Sequence, residues 1–108
     1  MSETQLVRSI LRTLQMKGVW CWRVNSGLTV LGSGKSKRVI KGAPAGTPDI
    51  IGTVEGRMFG LEVKTETGRV LATQQRWHDK AARHGVKVAV VRSVGEAVRV
   101  VEEWRKAQ

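Results

Sequence analysis

Three charged residues near the middle of the chain have the types and spacing needed for metal-assisted hydrolysis. Segment 59–64 (FGLEVK) has the composition of a β-strand, in which successive side chains point to opposite faces. Glu62 and Lys64 therefore share one face, and the apolar residues of the segment occupy the other. Asp49 opens the preceding apolar run. Two carboxylates and an ammonium group that converge on one sheet face suit divalent-metal binding and phosphodiester hydrolysis.

The chemistry of Mg²⁺ explains why these residue types belong together. Mg²⁺ takes oxygen ligands and usually keeps several waters. Asp49 and Glu62 would supply two oxygens, and the carbonyl of Val63 is placed to add a third. The metal would acidify a bound water, and Lys64 would orient that water or stabilise charge on the phosphate. The alternative is a simple ion pair on an exposed sheet face.

Two further polar residues fall on apolar helical stripes. Glu3 lies one turn before Val7 on the inward stripe of the first predicted helix, where it would need an internal partner. An acid that only interacts with the helix dipole is the equal alternative. Gln74 aligns with Trp77 on the next predicted helix and could contact the lysine, a water or a phosphate, or simply be satisfied by backbone. Gln75 faces away, which favours Gln74.

The positive charge of the chain is concentrated in its first half. The net charge is +10 over 108 residues. Residues 1–48 hold eight Lys or Arg against one acid, a net +7, and residues 49–108 hold eleven against eight, a net +3. A basic surface around an acidic centre suits a polyanionic substrate, although a merely solubilising charge excess is the alternative. The predicted DNA-phosphate contacts lie in segment 26–47 and are Lys35, Lys37, Arg38 and Lys41.

Periodicity and turn residues predict one α/β domain over residues 1–108. The expected elements begin with a helix over 3–16, a strand over 19–25 and a basic glycine-rich loop over 26–47, which could hold a short strand near 39–40. A hairpin of strands 49–54 and 58–65, a helix over 71–84, a strand over 86–92 and a helix capped by Ser93 follow. The order strand, helix, strand over 58–92 predicts a parallel βαβ unit. The nearly continuous apolar run of 86–92 predicts a central strand.

Several function classes are disfavoured. Cys21 is the only cysteine, so no intrachain disulfide can form, which fits a reducing cytoplasm. No apolar run reaches the ~20 residues of a membrane helix. Segment 32–36 (GSGKS) lacks the first glycine of a phosphate-binding loop, so no nucleotide cofactor is expected. His78 and His84 have no cysteine partners at zinc spacing and are interpreted as structural.

Together these motifs resemble a known nuclease family. Segments 46–49 (GTPD), 62–64 (EVK) and 74–77 (QQRW) are similar to the VRR-NUC branch of the PD-(D/E)XK nuclease superfamily, and the match runs from Glu3 to Val91. The resemblance implies a restriction-endonuclease-like core in α-β-β-β-α-β order, with a mixed sheet flanked by helices. It also implies cleavage of DNA that depends on Mg²⁺ or Mn²⁺.

The same resemblance implies a role for each site residue. Asp49 and Glu62 would ligate the metal with help from the Val63 carbonyl, and Lys64 would be catalytic. Glu3 matches the acid of the first helix, which could reach the metal through water, and Gln74 matches the glutamine of the Q-x-x-aromatic pattern. Residues 71–73 (LAT) depart from the family, in which a Ser or Thr three residues before the glutamine is common. The choice between Gln74 and Gln75 therefore stays open.

The chain is similar to standalone family members, many of them from bacteriophages. Such members resemble junction resolvases, which implies a homodimer acting on branched DNA such as Holliday junctions. The resulting prediction is a metal-dependent, structure-selective DNA endonuclease in the cytoplasm of the host cell. Two alternatives remain: a non-catalytic basic DNA-binding module, and a nuclease subunit that is active only with a partner protein.

Overall fold

A mixed four-stranded sheet organises the chain. The computed structural model describes residues 1–26 and 28–107. Its elements are α1 (Glu3–Met16), β1 (Trp20–Arg23), β2 (Leu28–Leu31), β3 (Arg38–Lys41), β4 (Ile50–Val54), β5 (Arg57–Val63), α2 (Ala72–Arg83), β6 (Lys87–Val91) and α3 (Val94–Lys106). The sheet order is β1-β4-β5-β6, with β5 and β6 parallel and the other neighbours antiparallel. The predicted α-β-β-β-α-β class is confirmed, with β2 and β3 inserted after β1 and α3 added at the end.

The first helix begins and ends where local signals place it. The Ser2 hydroxyl accepts a hydrogen bond from the Gln5 N–H (3.1 Å), and the Gln5 side chain accepts one from the Ser2 N–H (2.8 Å). This reciprocal capping box satisfies two helix-end donors. Gly18 follows the helix with a φ of 80°, a conformation that glycine adopts at little cost. The buried stripe of α1 consists of Leu6, Val7, Ile10 and Leu14.

The main core lies on one face of the sheet, beneath α1 and α3. Leu61 and Val63 of β5 are fully buried there, together with Phe59. The Phe59 and Trp104 rings lie 5.6 Å apart, so α3 packs directly on the central strand. Since side chains alternate along β5, Glu62 must point to the opposite face. The predicted division of this strand into an apolar face and a charged face is confirmed.

A two-residue turn fixes the pairing of β4 with β5. Val54 pairs with Arg57, and the two residues between them, Glu55 and Gly56, have φ angles of 51° and 75°. Positive φ at both positions is typical of a type I′ turn, whose twist matches that of antiparallel strands. The register then runs in steps to the pair formed by Ile50 and Leu61.

The predicted basic loop over 26–47 is wrong in part, because residues 28–41 form a β-hairpin. Val30 pairs with Val39 across it, and Gly32 and Gly34 adopt positive φ in its turn. β-Branched pairs stabilise such a ribbon without a core beneath it. The large apolar side chains of the hairpin are exposed, namely Leu28, Val30, Leu31, Val39 and Ile40. We call this unit, β2 and β3 with their turn, the basic hairpin.

The predicted central position of the strand over 86–92 is also wrong. Among the described residues, β6 pairs with β5 alone and forms an edge of the sheet. Its apolar run is explained by helices on both sides, since β6 contacts both α2 and α3. Burial on two faces gives a strand continuous hydrophobicity whether or not it has two neighbours. The central strands are β4 and β5.

The structure also defines the surroundings of the single thiol and the cap of the last helix. Cys21 is buried, 3% exposed, and burial raises the pKa of its thiol to about 11. The hydroxyl of Ser93 caps α3 by accepting from the Glu96 N–H (3.0 Å), whereas the Glu96 carboxylate accepts from the Arg92 N–H (2.9 Å). Within residues 1–26 and 28–107, every helix is too short or too polar to cross a membrane.

Candidate active site

Two carboxylates meet where β4 begins and β5 ends. Continuing the β4–β5 register by one residue places Asp49 opposite Glu62. The two carboxylates lie close enough for Asp49 to raise the pKa of Glu62, and Asp49 Oδ2 accepts a hydrogen bond from the Val63 N–H (2.8 Å). The main-chain oxygen of Asp49 accepts from the Val24 N–H (2.8 Å). Asp49 is therefore fixed through both its backbone and its carboxylate.

The residues before Asp49 are packed closely enough to explain their types. Pro48 is buried against Gly60, where an added Cβ would lie 2.9 Å from Pro48 Cγ. Gly46 has a φ of 90°, and an added Cβ there would collide with the main-chain oxygen of Thr73. The segment before Asp49 therefore packs between β5 and the first turn of α2. These two contacts fix the position of Asp49 beside the sheet.

The Val63 carbonyl faces the same side as Asp49. The Lys64 N–H donates to the Val91 oxygen (3.0 Å) on the β6 side. Since successive peptide groups of a strand point to alternate sides, the N–H and C=O of Val63 point toward β4. The N–H reaches Asp49, so the carbonyl lies on the side of the carboxylate pair, as a third metal oxygen would require.

Helix α2 covers Glu62 with two polar side chains. Glu62 is 2% exposed. The Gln74 amide Nε2 donates to Glu62 Oε2 (3.3 Å), and His78 Nε2 lies 3.3 Å from Glu62 Oε1. Gln75 instead donates to Asp79 (2.9 Å) on the exposed side of the helix. Of the two glutamines, Gln74 is therefore the one that contacts the carboxylate pair.

The electrostatics of Glu62 are those of a buried acid beside other acids. Burial, followed by the side-chain contact and the charge of Asp49, raises the pKa of Glu62. Lys64 opposes the rise and the charge of Glu3 adds to it, and the net result is a pKa of about 8. A cation bound between the carboxylates would favour their ionised forms. The pair is thus arranged for a positively charged ligand.

Glu3 does not lie on the inward stripe where the sequence placed it. Its side chain is exposed in the first turn of α1, and the buried stripe begins with Leu6. The physical reason is that the end of α1 extends past the core, so an acid there stays hydrated and faces the helix dipole. The charge of Glu3 nevertheless contributes to the raised pKa of Glu62, as the last and smallest of its causes.

Lys64 is buried on the same face as Glu62 and is 6% exposed. Its side chain packs against Gly68, in the loop that follows β5. The Arg92 guanidinium donates hydrogen bonds to the main-chain oxygens of Thr65 and Gly68 (2.7 Å each), and these bonds tie the two ends of the loop together. The Lys64 side chain therefore packs against a loop whose backbone is held by hydrogen bonds.

His78 is the site residue that sequence reasoning missed, because it was interpreted as structural. The signal was its spacing, since residues four apart on a helix share a face and Gln74 was already a candidate. Burial lowers the pKa of His78; Asp79 opposes this, and Lys64 adds to it. Its contact with Glu62 Oε1, at 3.3 Å, has the distance of a hydrogen bond.

The predicted DNA contacts all lie on the basic hairpin. Lys35 is in its turn, Lys37 follows that turn, and Arg38 and Lys41 are the first and last residues of β3. All four side chains are exposed. Arg38 and Lys41 are three residues apart on β3, so they point to opposite faces of the hairpin. All four cations lie on an element separate from the sheet strands that carry the carboxylates.

The donor set fits a hard divalent cation. Within residues 1–26 and 28–107, no three His, Cys, Asp or Glu side chains form a ready metal cluster. Asp49 and Glu62 offer carboxylate oxygens, and Val63 offers a carbonyl oxygen. Mg²⁺ is commonly bound by one or two carboxylates, with waters and substrate phosphates completing its shell. Such an all-oxygen, incomplete set suits Mg²⁺ or Mn²⁺ better than Zn²⁺.

Comparison with known proteins places the chain in a family. None of the curated proteins matches it. A family model described as the VRR-NUC domain matches residues 1–95 of the 108. That span contains all six strands, both helices α1 and α2, and every site residue described above. The family carries out nuclease-type processing of DNA, generally with divalent metals. The chain therefore belongs to the VRR-NUC family.

Proposed function

We propose that this nuclease is a metal-dependent, structure-selective endonuclease that hydrolyses phosphodiester bonds in branched DNA such as Holliday junctions. The observation that carries the proposal is the pair formed by Asp49 and Glu62, which face each other across β4 and β5 with Lys64 buried beside them. A structural ion pair alone would not require the buried Glu62 to lie opposite a second carboxylate, because two neighbouring acids disfavour each other's ionised form.

Each residue of the site has a task in this proposal. Asp49, Glu62 and the Val63 carbonyl would hold Mg²⁺ or Mn²⁺. When bound, the cation supplies Lewis acidity at the phosphate and lowers the pKa of water. Lys64 orients the attacking water or stabilises negative charge that develops on the phosphate. Gln74 holds one oxygen of Glu62, and Glu3 would reach the cation through water.

The basic hairpin would hold DNA through its phosphates. Lys35, Lys37, Arg38 and Lys41 are exposed along it, and phosphate contacts of this kind position a duplex without reading its sequence. We therefore expect weak sequence preference and affinity that falls steeply with salt. The single thiol, Cys21, is buried and needs no oxidising compartment, so we place the reaction in the cytoplasm of the host cell.

A homodimer would give two sites for the two strands of a junction. Its support is exposed apolar surface on the basic hairpin and on β1, an edge strand of the sheet. Trp20 is 70% exposed, and its ring lies 5.4 Å from that of Trp22. Sedimentation should give twice the chain mass of 11.9 kDa, and Val30→Glu together with Val39→Glu should give a monomer. A wild-type monomer at micromolar concentration would refute this part.

Cleavage assays test the central proposal. Wild-type protein should cut labelled junctions, flaps or splayed arms in Mg²⁺ or Mn²⁺, prefer them to linear duplex, and be inactive in EDTA. Glu62→Gln and Lys64→Met should abolish cleavage but retain DNA binding. The matched controls are Glu66→Gln and Lys87→Met, which change exposed residues in the loop after β5 and on β6.

The outcomes separate the competing explanations. Undiminished metal-dependent cleavage by Glu62→Gln would rule out this site. Binding of every substrate without cleavage would favour a non-catalytic DNA-binding module. Cleavage that appears only after a host extract is added would indicate a subunit that needs a partner protein.

A further inference from the structure

Both oxygens of the Glu62 carboxylate are contacted by one helix. Gln74 Nε2 donates to Oε2, and His78 Nε2 lies at the same distance, 3.3 Å, from Oε1. The two residues are four apart on α2, so they present their side chains on one face, one turn apart. Glu62 is 2% exposed and the His78 side chain 10%, so water has little access to this contact.

We propose that His78 is a positioning residue that donates its Nε2–H to Glu62 Oε1 and so holds this carboxylate in the orientation that binds the divalent cation. The inference rests on the proposed function, because it assumes that Glu62 is a metal ligand. When a cation is bound, the Glu62 carboxylate is ionised and can only accept hydrogen bonds, so the imidazole nitrogen that faces it is then the donor. The sequence motifs of the site do not include His78.

The geometry also shows how His78 would restrict Glu62. Nε2 of His78 lies 3.3 Å from Glu62 Oε1, within hydrogen-bond distance. Gln74 and His78 together restrict rotation of the Glu62 carboxylate about its terminal bond, a torsion with broad preferences when it is free. Partners that orient a ligand in this way typically change metal affinity or activity by about 10–100-fold when they are removed.

The test measures Mn²⁺ binding without DNA, by isothermal titration calorimetry on the folded protein. Two substitutions at the same position differ in reach. In His78→Gln the amide nitrogen occupies approximately the position of Nε2. The asparagine side chain of His78→Asn is shorter, so its amide nitrogen does not reach Glu62. We expect His78→Asn to raise the dissociation constant at least about tenfold, and His78→Gln to stay within about threefold of wild type.

His84→Asn is the matched control, since His84 is exposed at the end of the same helix. It should bind Mn²⁺ as wild type does. Thermal unfolding of each variant reports its effect on folding separately. A merely structural role for His78 would lower the melting temperature of His78→Asn and His78→Gln and leave the Mn²⁺ dissociation constant of both unchanged.

Glu62→Gln distinguishes the two layers of the argument. If Glu62→Gln binds Mn²⁺ like wild type, the proposed metal site fails. If Glu62→Gln loses Mn²⁺ binding while His78→Asn and His78→Gln both bind it like wild type, the positioning role of His78 is overturned and the proposed function stands. Weakened binding by His78→Asn, with recovery in His78→Gln, supports the role.

Discussion

Replacing Glu62 with glutamine should flatten the dependence of folding stability on pH in the metal-free protein. Burial and Asp49 raise the pKa of Glu62 from 4.5 to about 8, so the folded protein keeps a proton that the unfolded chain releases. Between these two values the folded state binds more protons, and stability therefore falls as pH rises. The sign is opposite to that of a salt-bridged carboxylate, which loses stability on acidification.

The size of this change in stability is clearest in the pH range in which Glu62 is the main group that titrates differently in the folded and unfolded states. His78 has a lowered pKa, so it costs stability only as pH falls below its ordinary value of 6.5. One proton gives a slope of at most about 1.4 kcal/mol per pH unit, which levels off above the folded-state pKa. From about pH 6.5 to about pH 8.5, wild type should lose about 2 kcal/mol, and Glu62→Gln should lose almost none.

Urea unfolding in EDTA at several pH values, followed by tryptophan fluorescence, measures this difference. Glu66→Gln is the control, because Glu66 is exposed and should keep the wild-type slope. Saturating Mn²⁺ should restore the stability of wild type at high pH but not that of Glu62→Gln. The reasoning is refuted if Glu62→Gln keeps the wild-type slope, or if wild type becomes more stable across the window.

Three further predictions address packing, DNA binding and the thiol. Gly60→Ala places a Cβ 2.9 Å from Pro48 and should lower the free energy of unfolding in urea by about 1–3 kcal/mol. Gly95→Ala is the control, because a Cβ there meets nothing within 4 Å. If the two variants are equally stable, the close packing of Pro48 on Gly60 is contradicted. Replacing the four hairpin cations with Gln should lower the salt slope of DNA affinity, measured by anisotropy, by up to about 4, and an unchanged slope would exclude them as contacts. Burial raises the pKa of Cys21 to about 11, so a thiol reagent should label it near neutral pH only after unfolding; rapid labelling of the folded protein would show that the thiol is accessible.

Much of the fold was predictable because its signals are local. The capping box at Ser2, the apolar stripe of α1 and the alternation along β5 each reflect residues within a few positions of one another. The opposition of Asp49 and Glu62 followed from a short hairpin, in which the turn determines which residues face each other. Features that depend on the pattern of residues within one element were therefore predicted correctly.

The missed features depend on contacts between distant elements. The large apolar side chains of the basic hairpin, Val30 and Val39 among them, are exposed. Its strands therefore lack the pattern of buried and exposed residues by which a sequence reveals a strand that packs on a core. An apolar run shows that β6 is covered, and it does not show how many strands adjoin it. The sequence around His78 shows only a histidine on a helix. Its contact with Glu62 depends on the packing of α2 on the sheet.

The turn formed by Glu55 and Gly56 has a consequence for how this chain can change in length. Its two residues set the β4–β5 register, and that register alone brings Asp49 opposite Glu62 at the far end of the ribbon. A single residue inserted into β4 or β5 would displace one acid to the other face of the sheet, because side chains alternate with every residue. The ribbon should therefore tolerate many substitutions but few insertions or deletions, and added sequence is best accommodated in the segment between β1 and β4.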